Sequence, residues 1–303
     1  MSQKVDFHCH STASDGVLSP RQVLERAVAR EVDYLALTDH DTVAGVRWLR
    51  DQGLLAQYQE QLTMVFGSEL SCLWGTSEIH IVALGLDMDD PDVQTFLEQQ
   101  GEARWQRSER IADKVARRLP GFAAEACLEG AVQQAQQAQA KADPDFILSD
   151  RDLQIGRPHF AGWMVEQGIV ADRNSAFDKY LGAKRIGNAR QHWPGLQETV
   201  RAIRSWNAVP VLAHPGRYRM TGMKLQEVIR GFKEAGGLAM EVVGCQQPWG
   251  ERETMAKYCE KFELHASLGS DFHGPWSEYV ELGRLAPVPE NCRPVMELLE
   301  ALN

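Results

Sequence analysis

Val5-Asp6-Phe7-His8-Cys9-His10-Ser11, close to the N-terminus, has the pattern of a short first strand. Alternate side chains of a strand share one face, so Asp6, His8 and His10 point one way and Phe7 and Cys9 the other. Two imidazoles beside a carboxylate suit a core poorly but can bind a divalent metal ion. A single His-x-His is as often structural as metal-binding, so the interpretation depends on whether the same side chains recur along the chain.

They recur at the ends of later strands. Metal-type side chains end or interrupt the predicted strands as follows: His40 after 33–38, Glu69 at the end of 63–69, His80 within 78–84, His214 after 209–213, and Asp271 and His273 after 265–268. A helix beginning at Ser19-Pro20 separates the first two strands, which is the start of a parallel α/β fold. Active sites of such folds form at the carboxyl ends of the strands. The sequence therefore predicts a metal site at that edge.

Length, composition and charge narrow the class of protein. With 303 residues, the chain can form one large domain or a barrel with a small insertion. Its 44% apolar and 24% charged residues are ordinary for a soluble globular protein. The formal net charge of −10 argues against coating nucleic acid by bulk attraction, although a local basic site remains compatible with it.

The cysteines indicate a reducing compartment. They are scattered and form no Cys-x-x-Cys pair: Cys9, Cys72, Cys127, Cys245, Cys259 and Cys292. The sequence shows no signal peptide and no apolar run long enough to span a bilayer. We therefore expect a cytoplasmic protein whose thiols pack as small hydrophobic groups.

The middle of the chain, residues 101–191, shows no convincing strand. Residues 104–119 predict an amphipathic helix with Ile111 and Val115 on one side and a basic face on the other, made of Arg104, Arg107, Arg110, Lys114 and Arg118. We interpret the segment as an α-helical insertion able to cover the site; a plain surface elaboration is the alternative. The basic face could guide an RNA strand or be only a solvated face.

Seven ordered motifs together resemble the PHP (polymerase and histidinol phosphatase) family. They are His8-Cys-His10, Asp15-Gly16, Thr38-Asp39-His40-Asp41-Thr42, Gly67-Ser68-Glu69, Glu78-Ile-His80, Ala213-His214-Pro215 and Gly269-Ser270-Asp271-Phe272-His273. Three further segments are similar to the bacterial subgroup of nucleoside 3′,5′-bisphosphate phosphatase and 5′-to-3′ exoribonuclease: Arg157-Pro-His159-Phe-Ala, Phe177-Asp-Lys-Tyr-Leu181 and Ala213-His-Pro-Gly-Arg217-Tyr218.

The resemblance implies a distorted seven-stranded (β/α) TIM-like barrel, formed by residues 1–100 and 192–303, with the insertion at 101–191. It also implies two or three divalent ions, typically Mn²⁺, with Fe²⁺ or Zn²⁺ as alternatives. Its implied ligands are His8, His10, Glu69 and Asp271 for one ion; Glu69, His80 and His214 for a second; and Asp15, His40 and His273 for a third. Asp15, His40, Glu69 and His273 are the implied catalytic residues.

The chemistry of this ligand set supports the same expectation. All nine side chains are nitrogen or oxygen donors, and no thiolate favours a structural zinc site. With three divalent ions bound, Asp15, Glu69 and Asp271 would cancel only part of the charge. The site would stay positive and suit an anionic substrate.

We therefore expect a metal-dependent phosphoesterase that removes the 3′-phosphate of nucleoside 3′,5′-bisphosphates, acts as a 5′-3′ exoribonuclease on 5′-phosphorylated RNA, or does both. No Gly-x-Ser-x-Gly elbow and no cysteine in a basic niche indicate a covalent nucleophile. For the phosphate that is held but not cleaved, we predict Arg157, His159 and Arg217. For either arginine, an ordinary surface ion pair is the alternative.

Two other activities remain open at this stage. Histidinol-phosphate phosphatase, or another small-molecule phosphomonoesterase, would share the barrel and the metals. A non-catalytic metal-binding module is a further alternative, although such modules commonly lose ligands and all nine positions are filled here. The residues before Trp193, Asn188 to His192, depart from the pattern of the subgroup, so we assign no substrate contact to that loop and do not count His192 as a ligand.

Overall fold

The computed structural model describes residues 3–150, 152–182 and 193–302, and the strands of these ranges form one seven-stranded sheet. The strands are β1 (Val5–Cys9), β2 (Tyr34–Leu37), β3 (Thr63–Trp74), β4 (Ser77–Leu84), β5 (Val209–Leu212), β6 (Ala239–Gly244) and β7 (His265–Gly269). Their order in the sheet follows their order in the chain.

The sheet curls into a nearly closed barrel. The segment after β7 returns to β1, where the amide of His10 donates to the carbonyl of Phe272 at 2.8 Å and the amide of Asp271 donates to the carbonyl of His8 at 2.8 Å. These two hydrogen bonds bring the first and last strands of the sheet, β1 and β7, together, and with them His8, His10 and Asp271. The expected seven-stranded α/β barrel is confirmed.

One strand departs from the parallel arrangement. β4 runs antiparallel to both β3 and β5, whereas the other neighbouring strands are parallel. Only Gly75 and Thr76 separate β3 from β4, and Gly75 has a φ of 60°. A connection of two residues makes a hairpin, because a parallel crossover needs a dozen or more residues. This reversal is the main distortion of the barrel.

Eleven α-helices surround the strands within the described ranges. In chain order they are α1 (Pro20–Ala29), α2 (Ala44–Asp51), α3 (Leu54–Tyr58), α4 (Pro91–Ala116), α5 (Ala124–Ala142), α6 (Arg157–Glu166), α7 (Arg173–Ala176), α8 (Leu196–Ser205), α9 (Gly222–Glu234), α10 (Glu251–Lys261) and α11 (Met296–Glu300). The predicted start of α1 is confirmed, with Ser19 as N-cap and Pro20 in the first turn. No helix of these ranges is long and apolar enough to cross a bilayer.

Helices α4 to α7 have a hydrophobic cluster of their own. Ile111, Cys127, Phe160 and Trp163 are among its buried members. The cluster is separate from the main one, to which α4 contributes only its first turns, through Val93. Helix α4 begins at Pro91 and runs through Gly101, the expected start of the insertion. The helical segment therefore joins the barrel through a continuous helix rather than at a linker, because a single glycine is tolerated inside a long helix.

The predicted basic face of α4 is wrong for two of its members. Arg104 and Arg107 are buried, like Ile111 and Val115. Positions 104, 107, 111 and 115 are spaced by three or four residues, so they share one side of a helix and turn together towards the interior. Arg104 and Arg107 thus belong to the packed face, and a basic strip for guiding RNA along α4 is not available from them.

Candidate metal centre

The nine predicted ligands meet at the carboxyl-end rim of the barrel. Strand β1 contains His8, and His10 directly follows the strand. Asp15 lies in the loop after His10. The remaining six come from the segments around the other strands: His40 after β2, Glu69 in β3, His80 in β4, His214 after β5, and Asp271 and His273 after β7. Side chains that are far apart in sequence are adjacent because neighbouring strands end at one edge.

Their donor atoms form three overlapping groups. In each group the ligand atoms lie within 4.8 Å of one another: His8, His10, Glu69 and Asp271; His10, Asp15, His40 and His273; and His40, Glu69 and His80. His214 is in none of these groups, but its Nε2 lies 2.8 Å from Glu69 Oε1. The first group is the expected set, whereas the other two differ from the expected sets, and His10, His40 and Glu69 each belong to two groups.

Glu69 lies at the centre of the cluster and is almost completely buried. Its Oε2 is 3.1 Å from His8 Nε2 and 3.0 Å from His40 Nδ1. Its Oε1 is 2.9 Å from His80 Nδ1 and 2.8 Å from His214 Nε2. Oε2 also lies 3.3 Å from His10 Nε2. The two carboxylate oxygens therefore face two different groups of imidazoles, which is the arrangement needed to bridge two cations.

The donor set fits divalent ions better than it fits a hydrogen-bond network. Glu69 Oε2, His40 Nδ1 and Asp15 Oδ1 are buried atoms without a hydrogen-bond partner, although other donors of the cluster lie within ion-pair distance. Buried polar atoms are normally satisfied, so unpaired lone pairs that converge on one space call for a cation between them. Nitrogen and oxygen donors of this kind suit Mn²⁺, Fe²⁺ or Zn²⁺.

The ionisation of the cluster reflects its mutual contacts. Burial would raise the pKa of Glu69, but the imidazoles of His8, His40 and His80 hold it well below its usual value. Burial would lower the pKa of His80, yet the carboxylate of Glu69 raises it to about 10. In the same way Asp15 and Asp271 raise the pKa of His273 to about 10 against the effect of burial. Without metal, protons therefore do part of the charge compensation that cations would provide.

A carboxylate that we did not predict, Glu241 in β6, orients two of the ligands. Its Oε1 lies 2.6 Å from Nδ1 of His8, and its Oε2 accepts the backbone amide of His214 at 2.6 Å. A proton on His8 Nδ1 leaves Nε2 free to face the cluster. His214 has a φ of 29°, a strained value that the bond to Glu241 supports. An acidic residue inside an apolar strand was the available sequence signal.

Asp41 and Arg104 form a second support, from the helical segment. The Arg104 guanidinium is paired with Asp41, whose other oxygen accepts Gln100 Nε2 at 3.0 Å and the amide of Ser71 at 2.7 Å. Asp41 follows His40, and its own amide donates to the carbonyl of Glu69 at 3.0 Å. Helix α4 is thus tied to the backbone that carries two ligands. A pair separated by so many residues leaves no signal in a single sequence.

Asp39 supports the loop that carries Asp15. Its carboxylate accepts the amide of Ser11 at 2.8 Å and the hydroxyls of Ser11 and Ser14 at 2.7 and 2.6 Å. Asp39 is buried and belongs to none of the three donor groups. Asp6, which we placed on the same face as His8, is likewise outside them, because it accepts the backbone amides of Ser270 and Gly283 instead.

Two cavities open beside the cluster. The Asp15 cavity, about 560 Å³, is lined by Asp15 and by α5 and α6 residues that include Gln134, Lys141 and His159. The Arg217 cavity, about 290 Å³, is lined by His214, Arg217 and Asp271 together with Gln246, Gln247 and Pro248. Both are large enough to hold part of a nucleotide, and each contains side chains of the donor groups.

The predicted substrate-binding residues are placed differently from one another. Arg217 contacts Asp271 and is half exposed at the edge of the cluster. His159 lines the Asp15 cavity, and its Nδ1 accepts the amide of Gly156 at 3.0 Å. Arg157 lies over the ring of Phe177, 5.8 Å from its centroid, and lines neither cavity. The segment Asn188 to His192 lies outside the described residues.

His159 is a hydrogen-bond donor towards the cavity. Burial lowers its pKa to about 4, so the ring is neutral near pH 7. Because Nδ1 accepts the Gly156 amide, the proton of the neutral ring is on Nε2. That N–H can donate to a phosphate oxygen.

Comparison with known proteins gives relatives over the whole length. No family model matches the chain. It is 34% identical to a 5′-3′ exoribonuclease of Haemophilus influenzae, covering 98% of this chain and 99% of the relative. It is 32% identical to a 3′,5′-nucleoside bisphosphate phosphatase of Chromobacterium violaceum, covering 98% and 96%.

Solved structures agree with this result. An amidohydrolase of Chromobacterium violaceum with bound sulfate and no metal superposes with a TM-score of 0.82 at 32% identity, covering 99% of this chain and 96% of that one. A metal-dependent phosphoesterase of Bifidobacterium adolescentis has the same fold, with a TM-score of 0.73 at 24% identity and coverage of 100% and 96%. The curated relatives favour the nucleotide-acting subgroup over histidinol-phosphate phosphatase.

Proposed function

The chain belongs to the PHP family of metal-dependent phosphoesterases, and on this basis we propose that it hydrolyses the bond between phosphorus and O3′ of a nucleotide that carries a 5′-phosphate. The relatives are named for two activities, a 5′-3′ exoribonuclease and a 3′,5′-nucleoside bisphosphate phosphatase. These are one reaction on two substrates if the same bond is broken in both.

The atoms balance in the same way for either substrate. Water adds an oxygen to phosphorus, the P–O3′ bond breaks, and a proton goes to the departing 3′-oxygen. A 3′,5′-bisphosphate then gives a nucleoside 5′-monophosphate and inorganic phosphate. A 5′-phosphorylated RNA gives a nucleoside 5′-monophosphate and an RNA shortened by one residue, whose new end is again a 5′-phosphate.

The observation that carries the proposal is the position of Glu69 between two groups of imidazoles. We assign the metal ligands as the nine predicted side chains, with Mn²⁺ as the expected ion. When bound, such ions activate water and stabilise negative charge on phosphoryl oxygens. The chain's own contribution is to hold the donors in place through Asp39, Asp41 and Glu241.

Substrate recognition requires holding a second phosphate without cleaving it. Arg217 suits this role because its guanidinium is half exposed in the cavity beside Asp271. His159 can donate from Nε2 in the Asp15 cavity. Arg157 would act only by adding positive charge nearby, since its side chain lies over Phe177.

We also propose that residues 101–191 act as an insertion that covers the site in a cytoplasmic enzyme. The contacts of Arg104 and Gln100 with Asp41 support this, as does the place of His159 in the cavity beside Asp15. The six cysteines, all free and buried, suit a reducing compartment.

Product analysis with Mn²⁺ tests the proposed reaction. The purified protein is incubated with adenosine 3′,5′-bisphosphate and, separately, with a short 5′-phosphorylated RNA. We expect AMP and inorganic phosphate from the first, and nucleoside 5′-monophosphates from the second. Release of 3′-phosphorylated products, or turnover of histidinol phosphate at a higher kcat/KM than either nucleotide, would contradict the proposal.

Arg217→Ala separates recognition from chemistry. We expect it to weaken hydrolysis of the 3′,5′-bisphosphate much more than hydrolysis of an aryl phosphate, which has no second phosphate to hold. Arg219→Ala, on the same loop, is the matched control. Equal losses on both substrates would remove Arg217 from the recognition site.

A further inference from the structure

Two neighbouring loops beside the metal cluster expose large aromatic side chains to solvent. Within the described ranges five large hydrophobic side chains are exposed: Ile147, Met223, Trp249, Trp276 and Tyr279. The three aromatic ones belong to the segments 245–250 and 274–279. We call these three side chains the aromatic rim. Burying such a ring gains free energy, so a group of them left in solvent marks a surface that meets a partner.

The rim is continuous with the active-site region. Gln246 and Pro248, on the first loop, line the Arg217 cavity together with Asp271. The second loop begins directly after His273, whose carbonyl accepts the amide of Val17 at 2.8 Å. Gln246 Nε2 donates to Ser277 Oγ at 3.3 Å, which joins the two loops. The rim therefore borders both cavities beside the cluster: the Arg217 cavity through Gln246 and Pro248, and the Asp15 cavity through Val17.

We propose that the aromatic rim is a stacking platform for the bases of single-stranded RNA that follow the cleaved phosphate. This inference rests on the proposed function and extends it, because a 3′,5′-bisphosphate has no base beyond that phosphate to stack on the rim. Every base has a π face, so stacking on tryptophan or tyrosine is tolerant of sequence. An enzyme that degrades RNA from its end needs that tolerance.

The charge of the protein also favours stacking. With a formal net charge of −10, the chain as a whole does not attract a polyanion at a distance. The expected basic face on α4 loses Arg104 and Arg107 to the interior. Contacts that do not depend on charge would add to the affinity for RNA, and the rim offers three exposed aromatic rings for them.

The test compares two substrates that differ only beyond the cleaved phosphate. Wild type, Trp249→Ala, Trp276→Ala and the double variant are assayed with Mn²⁺ on adenosine 3′,5′-bisphosphate and on 5′-phosphorylated RNAs of increasing length. We expect each alanine variant to raise KM for the longer RNAs by about 5- to 150-fold, the range for loss of one stacked base. Hydrolysis of the bisphosphate should stay within about two-fold of wild type, since exposed side chains contribute little to folding.

Conservative and remote variants show whether the loss of an aromatic ring causes the higher KM for RNA. Trp249→Phe and Trp276→Phe keep an aromatic face and should retain most of the affinity for RNA. Ile147→Ala removes an exposed hydrophobic side chain outside the rim and should change nothing. Equal effects of the tryptophan variants on both substrates, or no effect on either, would overturn the proposal, as would a change of oligomeric state with RNA hydrolysis unaltered.

A binding measurement decides the matter even if the proposed reaction fails. The fluorescence anisotropy of a 3′-labelled single-stranded RNA is followed in EDTA, where no hydrolysis occurs. We expect weaker binding to both alanine variants than to wild type, with a shallow dependence on salt. Equal binding by all variants would refute the platform, whereas failure of wild type to hydrolyse the bisphosphate would refute the proposed function alone.

Discussion

The metal cluster has a buried side and an open side, and the two are built differently. On the buried side, His8, His10 and Glu69 are inaccessible to solvent or nearly so, and each contacts further donors of the cluster. On the open side, Arg217 is half exposed, and the aromatic rim is more exposed still. The strands fix the first group, whereas loops carry the second.

This difference assigns the chemical step to the buried side and the choice between substrates to the open side. Cations need donors held within a few tenths of an ångström, which a barrel rim with buried supports provides. Substrates of different length need a surface that does not enclose them, which the loops provide. We therefore expect substitutions on the buried side to affect every substrate, and substitutions on the open side to affect one substrate more than another.

Glu69→Ala should have the largest effect. Losing the carboxylate shared by two groups of imidazoles should lower kcat by about 10³-fold or more on every substrate, equivalent to several kcal/mol of transition-state stabilisation. Bound metal, measured by atomic spectroscopy, should fall in parallel. Glu227→Ala, an exposed carboxylate on α9, is the control. A Glu69→Ala protein with full metal content and normal rate would show that the buried side is not the site of chemistry.

Arg104→Met tests whether the helical segment supports the buried side. It keeps the length of the side chain but leaves the Asp41 carboxylate without its cation, which typically costs about 3–5 kcal/mol in a buried pair. We expect this loss in the free energy of unfolding measured with urea on the metal-free protein. Arg118→Met, exposed beyond the end of α4, is the matched control. Equal stability of the two variants would leave Asp41 as the support without Arg104.

The buried side was also the part most open to prediction from sequence. His40, His214 and Asp271 could be placed together because parallel strands end at one rim, whatever the loops do. Glu69 lies inside β3, which continues to Trp74 rather than ending at Glu69 as predicted. The antiparallel β4 was not foreseen, although the eight residues between the predicted strands, 70–77, are already fewer than a parallel crossover needs. The meeting of the strand ends and the direction of β4 both follow from the geometry of strands and short connections.

Contacts between distant segments were harder to foresee. Arg104 was assigned to a solvated face because arginine is usually exposed, and only its partner Asp41 makes burial favourable. Trp249 and Trp276 gave no signal, since an isolated tryptophan in a sequence is more often expected in a core. Their exposure depends on how the segments 245–250 and 274–279 are placed in the folded protein, and the sequence around each tryptophan does not indicate this.

Glu241→Gln should have an intermediate effect that again reaches every substrate. A carboxamide cannot accept from both His8 Nδ1 and the amide of His214, because one of its two ends is a donor. Loss of one such outer contact typically lowers metal affinity or activity by about 10- to 100-fold. Titration with Mn²⁺ measures the affinity, and Glu253→Gln on α10 is the control. An effect confined to RNA would place Glu241 on the open side instead.

The smallest effect is a dependence of stability on pH that metal should reduce. In the metal-free protein the pKa values of His80 and His273 are raised to about 10. Their contribution to stability is therefore complete below the unfolded value of about 6.5 and is lost as pH rises towards 10, by up to about 1.4 kcal/mol per pH unit for each group. Calorimetry of the metal-free protein from pH 6.5 to 8.5 should show a falling melting temperature. With Mn²⁺ the fall in melting temperature should be smaller, because bound metal requires deprotonated imidazoles and binds more tightly as pH rises.

His80→Gln should weaken the pH dependence of the melting temperature in the metal-free protein. An unchanged slope would mean that His80 is not protonated there, and that the contact between His80 and Glu69 Oε1 does not depend on a charged imidazole.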